Sequence, residues 1–165
     1  MKKLRTVFVC LFLFASFSAA FAQDSQGKAI IPHWEKYLTS ISHVSPTMFL
    51  SNISSETVTV KVTLYDENGN VYDESSETGS TNFRIQGAFS GDPMSAAGAT
   101  LGPNQSGRII IENGSFQAGY GEITWSTGTA NIQVALVAGL RGMYSQLSPD
   151  RYARWFVPIN DLKPF

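Results

Sequence analysis

Five consecutive residues, Asp66-Glu67-Asn68-Gly69-Asn70, form an acidic stretch that could hold a metal ion. A calcium loop of the EF-hand kind needs Gly at its sixth position and a bidentate Glu at its twelfth. Counted from Asp66, Gly69 is the fourth residue, and the flanking residues alternate like a strand rather than a helix. Asn-Gly supplies the positive φ that a tight hairpin turn requires. We therefore predict a hairpin turn, and ion binding by Asp66–Asn70 stays an open alternative.

The residues that could act as acids, bases or metal ligands are few and scattered. Only two histidines occur, His33 and His43, and two histidines without cysteine do not make up a zinc site. Glu122 and Asp150 could serve as paired carboxylates only if the fold brought them to one cleft. The chain has no Gly-x-Ser-x-Gly nucleophile motif. We predict no catalytic, cofactor or metal-binding residues, and hence no enzyme.

A cluster of arginines and aromatic residues near the C-terminus is the best candidate for a binding surface. Arg and Tyr are the residue types that interface centres favour, and an aromatic ring with polar neighbours also suits a sugar. The alternative is that the rings anchor the core while the arginines pair with surface acids. The candidate residues are Arg141, Tyr144, Arg151, Tyr152, Arg154 and Trp155.

The first 22 residues have the pattern of a secretory signal peptide. Lys2, Lys3 and Arg5 precede the apolar run Val7–Phe14, and Ala20-Phe21-Ala22 is a small-residue cleavage site. The run is too short for a membrane-spanning helix, which needs about 20 apolar residues. We predict cleavage after Ala22, no membrane span afterwards, and a single domain from residue 23 to 165.

Charge and cysteine content restrict the partners and the compartment. Removing Lys2, Lys3 and Arg5 from the 12 Lys and Arg leaves nine against 13 acids, a net charge near −4. No densely basic stretch occurs, which argues against nucleic acid as a partner. The one cysteine, Cys10, lies in the signal peptide, so the exported chain has no disulfide. An exported chain without cysteine favours a bacterial Sec-type protein, secreted or periplasmic.

Alternating hydrophobic residues predict an all-β fold. Val58, Val60, Val62 and Leu64 alternate with polar residues, which is the pattern of a half-buried strand. The remaining predicted strands are 29–34, 47–51, 83–89, 108–112, 122–125, 132–138 and 155–159. Seven to eight short strands separated by Gly, Asn, Ser and Pro predict an antiparallel β-sandwich.

The segments between these strands are predicted as follows. Residues 73–107 form a long Ser/Gly/Ala-rich loop region, interrupted by the weak strand at 83–89. Residues 139–149 form a shorter loop. Short helical turns are possible at 33–42 and 149–154. Pro158 predicts that the last strand lies at a sheet edge or ends there.

The order of these features resembles a known family. Phe49-Leu50-Ser51-Asn52 is followed by the alternating strand to Tyr65, then by Leu101-Gly102-Pro103-Asn104-Gln105-Ser106, and then by Gly121-Glu122-Ile123-Thr124-Trp125. The strand Val134–Ala138 with Arg141 comes after them. This order is similar to small bacterial β-sandwich proteins of the sensory rhodopsin transducer type, over residues 47–160. The resemblance implies a compact, oligomeric, non-enzymatic protein that binds partners. The signal peptide, the longer middle loop and the 155–165 tail depart from it.

These observations together predict an exported, non-enzymatic binding or assembly protein. Its loops and edge strands, including the tail 158–165, would contact a protein partner or another copy of the chain. The alternative is a carbohydrate-binding module that recognises an extracellular polysaccharide.

Overall fold

The computed structural model describes residues 24–73, 83–112, 114–147 and 150–165. The predicted signal peptide, residues 1–22, lies outside the described residues. The first six strands are β1 (Ser25–Leu38), β2 (Ser42–Val44), β3 (Thr47–Asn52), β4 (Val58–Asp66), β5 (Val71–Tyr72) and β6 (Phe83–Gly87). The next six are β7 (Ser90–Gly91), β8 (Ala99–Leu101), β9 (Ser106–Ile111), β10 (Gln117–Thr127), β11 (Leu136–Leu147) and β12 (Asp150–Pro158). A short 3₁₀ turn, Asn160–Leu162, follows.

All twelve strands belong to one antiparallel, hydrogen-bonded sheet. Its order is β6-β9-β3-β11-β2-β1-β10-β4-β8-β7, with β12 added to β11 and β5 added to β4. The sheet is curled into a half-barrel. No helix among the described residues has the length and apolar character to cross a membrane.

The long strand β1 connects the two halves of the sheet. Ser25 to Lys36 pair with β10, with a break in register between Ile31 and Trp34, whereas Tyr37 and Leu38 pair with β2. We call β1, β4, β5, β7, β8 and β10 the β10 half, and β2, β3, β6, β9, β11 and β12 the β11 half. The main-chain ladder is therefore continuous from one half to the other.

Strands β2 and β3 act as one interrupted partner of β11. Ser42 pairs with Gln146 and Thr47 pairs with Arg141, and both pairs belong to a single register. The ladder is interrupted at Ser45 and Pro46, where proline offers no N–H to a ladder. On its side away from β11, β2 pairs with β1, whereas β3 pairs with β9. The sheet therefore opens between β1 and β9.

The core fills the inside of the curl with alternate residues of both halves. Val58, Val60, Val62 and Leu64 are all buried, as their alternation predicted. From the β11 half come Met48, Leu50, Ile109, Ile111, Ala138 and Leu140. The indole Nε1 of Trp34 donates to the carbonyl oxygens of Tyr65 (3.2 Å) and Tyr120 (3.0 Å).

The all-β, antiparallel prediction is confirmed, but the predicted sandwich of seven to eight strands is a single curled sheet of twelve. The difference has two physical causes. Main-chain pairing through the bent strand β1 joins what would otherwise be two separate sheets. The short strands β2, β5, β7 and β8 have two or three residues each, which is too few to show a periodicity.

Several local predictions from the sequence differ from the structure. The possible helical turns at 33–42 and 149–154 are mostly strand, because β1 continues to Leu38 and β12 begins at Asp150, while Pro149 lies outside the described residues. The predicted loop 139–149 is mostly strand, because β11 continues to Leu147. In the predicted loop region 73–107 the weak strand at 83–89 is present as β6, and β7, β8 and the start of β9 are further strands that were not predicted, while residues 74–82 lie outside the described part of the chain.

Candidate functional site

The six candidate residues lie on the β11–β12 hairpin, which places them on two adjacent strands. Arg141 pairs with Phe156, Gly142 with Trp155, and Tyr144 with Ala153. Strand β12 is paired with β11 and with no other strand of the described sheet. It therefore forms an edge of the sheet.

The alternation of the strands divides the six candidates between two faces. Directly opposed residues share a face and successive residues alternate between faces. The inner face continues the core positions Ala138 and Leu140. Tyr144, Arg151 and Trp155 lie on this inner face. Arg141, Tyr152 and Arg154 lie on the outer face.

Trp155 is an anchor of the fold rather than an exposed ring. It is half-buried and packs against the hydrophobic core. Its indole lies directly over Gly142, where an added Cβ would come within 2.2 Å of three ring carbons. The missing side chain of Gly142 therefore provides the space for the ring.

Tyr144 is also held from within the protein. Its hydroxyl donates to Oε1 of Gln146 at 3.0 Å. Its neighbour across β2 is Tyr37. Burial raises the pKa of Tyr37, and the nearby Tyr144 and Glu35 act in the same direction. Tyr144 and Tyr37 thus lie on either side of Val44.

The outer face of five neighbouring strands carries four arginines. We define the arginine face as the outer side of β12, β11, β3, β9 and β6. Its arginines are Arg154, Arg141, Arg108 and Arg84. Sequence reasoning found Arg141 and Arg154 but missed Arg84 and Arg108, because these come from strands distant in the chain.

Aromatic rings lie between these arginines. The guanidinium of Arg141 lies over the ring of Phe49, 5.3 Å from its centroid. Phe49 is in turn directly opposite Arg108. The ring of Phe156 covers Gly139. Phe156 is 51% exposed and Tyr152 is 69% exposed.

Few of the arginines on this face are neutralised. Arg84 forms an ion pair with Glu112 at 2.9 Å. Nε of Arg108 donates to the amide oxygen of Gln86 at 2.7 Å. Among the described side chains, none of Arg108, Arg141 and Arg154 has a carboxylate within ion-pair distance. The side chain of Asp150, at the start of β12, is outside this description.

The residues that could have formed a catalytic site lie apart. Glu122 bonds Lys28 at 2.7 Å on the outside of β10, and His33 lies 3.7 Å from Glu35. His43 is on β2, opposite Leu38 and Ser145. Ser25 and Lys28 have Ser-x-x-Lys spacing, but residues three apart on a strand point to opposite faces. Within the described ranges, no group of three His, Cys, Asp or Glu side chains could hold a metal ion.

The acidic stretch 66–70 is the turn between β4 and β5, as the sequence predicted. Gly69 has a φ of 84°. Oδ1 of Asp66 accepts hydrogen bonds from the backbone N–H groups of Asn68 (2.9 Å) and Asn70 (2.8 Å), and Oδ2 accepts from the side chain of Asn70 (3.1 Å). These bonds, led by the one from the Asn70 side chain, lower the pKa of Asp66. The carboxylate of Asp66 therefore stabilises the turn.

A cavity of about 450 Å³ opens between β4, β5 and the 92–96 loop. Its lining includes Leu64, Tyr72 and Met94. Next to it lies Lys36, which is only 1% exposed, with Nζ 5.1 Å from the ring centroid of Tyr72. Asp73 and Phe83 border both the cavity and the segment 74–82, which is outside the described residues.

The C-terminal tail is anchored by the buried residues Ile159 and Phe165, whereas residues 160–164 between them are exposed, so the contact of the tail with partners stays a prediction. The main-chain oxygen of Phe165 accepts hydrogen bonds from Trp125 Nε1 (2.7 Å) and from the N–H groups of Ala135 and Leu136 (3.0 Å each). Phe165 itself is 8% exposed. Its polar and apolar groups are thus already satisfied within the chain.

The fold and site define this protein as an open antiparallel β-protein with an exposed edge hairpin and an arginine-rich outer face. Comparison with protein-family models, with curated proteins and with solved structures finds no match for the chain.

Proposed function

We propose that the chain is an exported, non-enzymatic binding or assembly protein, and that its edge strand β12 contacts a protein partner or a second copy. The observation that supports this most directly is the length and exposure of the strand. It has nine residues and one paired side, and two of its large side chains, Tyr152 and Phe156, are more than half exposed. An edge of this kind is a template for an added strand.

The inner side of β12 packs against the core, which favours binding at its outer side and edge. Trp155 and Val157 pack against the core, while Tyr152, Arg154 and Phe156 point outward. A partner strand would meet an edge whose conformation is already set, so the entropy cost of ordering the edge is small. The outward residues are also of the types enriched at interfaces, namely Arg, Tyr and Phe.

Arg151 and Arg154 make the edge selective. Charged side chains on an edge strand discourage indiscriminate pairing. Neither arginine has a carboxylate partner among the described side chains. A strand that places acids beside them would be favoured over a neutral one. The resemblance to sensory rhodopsin transducer proteins implies the same general role, and the non-enzymatic part of the proposal rests on the catalytic motifs that the sequence lacks.

Solution mass tests the assembly form of this proposal. The full 165-residue chain has a mass of 18.0 kDa, and one copy without residues 1–22 weighs less. We expect light scattering on this shorter chain to give at least twice the mass of one copy, rising with concentration. Tyr152→Lys adds a charge to the edge and should shift the mass toward the monomer. Ser126→Lys adds the same charge to β10, which is paired on both sides, and should leave the mass unchanged. A strict monomer at high concentration, unaffected by either variant, would argue against self-assembly.

The second candidate function is carbohydrate binding, which the exposed rings of Tyr152 and Phe156 beside Arg154 support. Trp155 and Tyr144, two of the aromatic candidates from the sequence, lie on the inner face. A glycan would therefore contact the outer side of the hairpin.

A further inference from the structure

The five arginines that follow the predicted signal peptide all lie in the β11 half of the sheet. They belong to β6, β9, β11 and β12, and four of them point from the arginine face. Most carboxylates of the described chain lie in the β10 half or in its turns. These are Asp24, Glu35, Glu56, Asp66, Glu67, Asp73, Asp92 and Glu122. A chain with a net negative charge therefore has one basic face.

The arginine face extends over five strands and carries an arginine on four of them, with Phe49 on the strand between Arg141 and Arg108. Neighbouring strands are about 4.8 Å apart, so the face is about 19 Å wide from β12 to β6. Along β12, Tyr152, Arg154 and Phe156 occupy alternate positions, about 7 Å apart. Phe156 has Arg154 on its own strand and Arg141 directly opposite. Each exposed ring thus has a guanidinium beside it.

We propose that the arginine face binds an acidic polysaccharide, one whose sugar units carry carboxylates. The guanidinium is planar and bonds a carboxylate with two parallel N–H groups. An exposed aromatic ring beside it offers an apolar surface to the C–H face of a sugar. Arg108 and Arg141, which lack acidic partners in the described structure, continue the charge across the sheet from β12.

The surface favours a polysaccharide over an acidic polypeptide. On β11, β3 and β9 the main chain is paired with a strand on each side, so these strands offer no ladder to a peptide. Peptide recognition also uses pockets for anchoring side chains. The described residues that line the cavity above are not on the arginine face. A repeating, charged ligand suits a face that carries cations on four of its five strands.

This inference rests on the exported location proposed above, but it does not depend on edge pairing by β12. Arg108 and Arg141 lie on β9 and β11, away from the free edge. A monomeric protein could still bind through them, and an oligomer that does not bind polysaccharide would leave the assembly proposal intact. The two proposals therefore fail separately.

Affinity electrophoresis or calorimetry with polygalacturonate tests the inference. We expect binding that weakens with salt, because the contacts are between exposed charges. The double variant Arg108→Gln/Arg141→Gln should bind at least about tenfold more weakly, since each charge-assisted hydrogen bond is worth about a factor of ten. The matched control Lys28→Gln/Lys61→Gln removes the same charge from the β10 half and should bind like the wild type.

Two further variants separate geometry from charge. Arg141→Lys keeps the charge but loses the planar group over Phe49, and should weaken binding several-fold. Phe156→Leu keeps an apolar cover on Gly139 but removes the ring, and should also weaken binding. Unchanged melting temperatures for the arginine variants would show that folding is intact.

Several results would overturn the inference. Equal binding by the arginine double variant, or no binding of polygalacturonate at low salt, would exclude this face. Equal binding of polyglutamate would assign the face to acidic polypeptides, and equal binding of an oligonucleotide would reduce it to non-specific charge. If neutral dextran bound as tightly as polygalacturonate, the arginines would not contribute to binding.

Discussion

Gly142→Ala is a sharp test of how the hairpin is held. A Cβ at this position would lie 1.9 Å from Cζ2 of Trp155, 2.0 Å from Cε2 and 2.2 Å from Cη2. Carbon atoms in contact are normally 3.5–4.0 Å apart, so the ring must move by roughly 1.5 Å. Trp155 packs against the core and joins β12 to it. The substitution therefore disturbs the inner side of the candidate site without changing a charge.

The expected loss of stability is about 1–2 kcal/mol. Overpacking of this kind costs about 1–3 kcal/mol. Replacing Gly by Ala recovers part of that, about 0.4–1 kcal/mol, by restricting the unfolded chain. For a domain of this size the melting temperature should fall by roughly 2–8 °C. Urea unfolding and thermal melting followed by circular dichroism would measure the change.

Two controls isolate the cause. Gly128 has no atom within 4 Å of an added Cβ, so Gly128→Ala should be neutral or slightly stabilising. In a double-mutant cycle with Trp155→Ala, removing the ring should abolish most of the cost of Gly142→Ala. If Gly142→Ala melts at or above the wild-type temperature, the ring does not occupy the space over Gly142 and the placement of Trp155 is wrong.

Three other perturbations have defined outcomes. Asn52→Ala should lower the free energy of unfolding in urea by about 3 kcal/mol or more. The buried amide of Asn52 donates to three carbonyls and accepts from Ser54; the carbonyls are those of Glu56, Leu101 and Gly102. Ser55→Ala, on the exposed side of the same loop, is the control. Trp125→Phe should cost about 1–2 kcal/mol by removing the donor to the Phe165 oxygen, and wild-type stability would show that the tail is not anchored there. The pKa of Asp66 is lowered in the folded state, so its contribution to stability is present above the unfolded pKa near 3.9 and is lost as pH falls through the lower folded pKa. Between pH 6 and 2 the melting temperature should therefore fall less steeply for Asp66→Asn than for the wild type. Parallel curves would contradict this.

Strand periodicity predicted the parts of the fold where local sequence decides the structure. The alternation at 58–64 is present as predicted, and the predicted strand at 122–125 is part of β10. The turn at Asp66–Asn70 was also predictable, because its hydrogen bonds are all between residues four or fewer apart. In these segments no distant contact is needed to explain the conformation.

The same reasoning failed on β11, where distant residues decide the structure. Gly139 and Gly142 suggested a loop, but the rings of Phe156 and Trp155 cover them and stabilise a continuous strand. That compensation comes from a different strand, so the local sequence around the glycines does not contain it. Because the segment was predicted as a loop, strand alternation could not be used to assign its side chains to faces. In the structure Arg141, Tyr152 and Arg154 lie on the outer face. Tyr144, Arg151 and Trp155 lie on the inner face.

The wider arginine face could not be predicted from a single sequence, because it depends on the order of strands. Arg84, Phe49 and Arg108 come next to Arg141 only through the pairing of β6 with β9, β9 with β3, and β3 with β11. No periodicity along the chain encodes that order. The composition did contain a hint, since all five arginines after residue 22 come after residue 83, while the lysines are spread more widely.

The two proposed surfaces meet at Arg154, and this position can show whether they act together. Arg154 lies on the edge strand and also on the arginine face, whereas Arg108 lies on the face alone. If copies pair through β12, their arginine faces become neighbours, and a long polysaccharide can bridge both with a gain in avidity. Arg108→Gln should then weaken polysaccharide binding at every protein concentration. Arg154→Gln should also change the concentration at which the oligomer forms, and polygalacturonate should favour the oligomer for the wild type more than for either variant. Oligomerisation that is indifferent to the polymer would show that the two surfaces work independently.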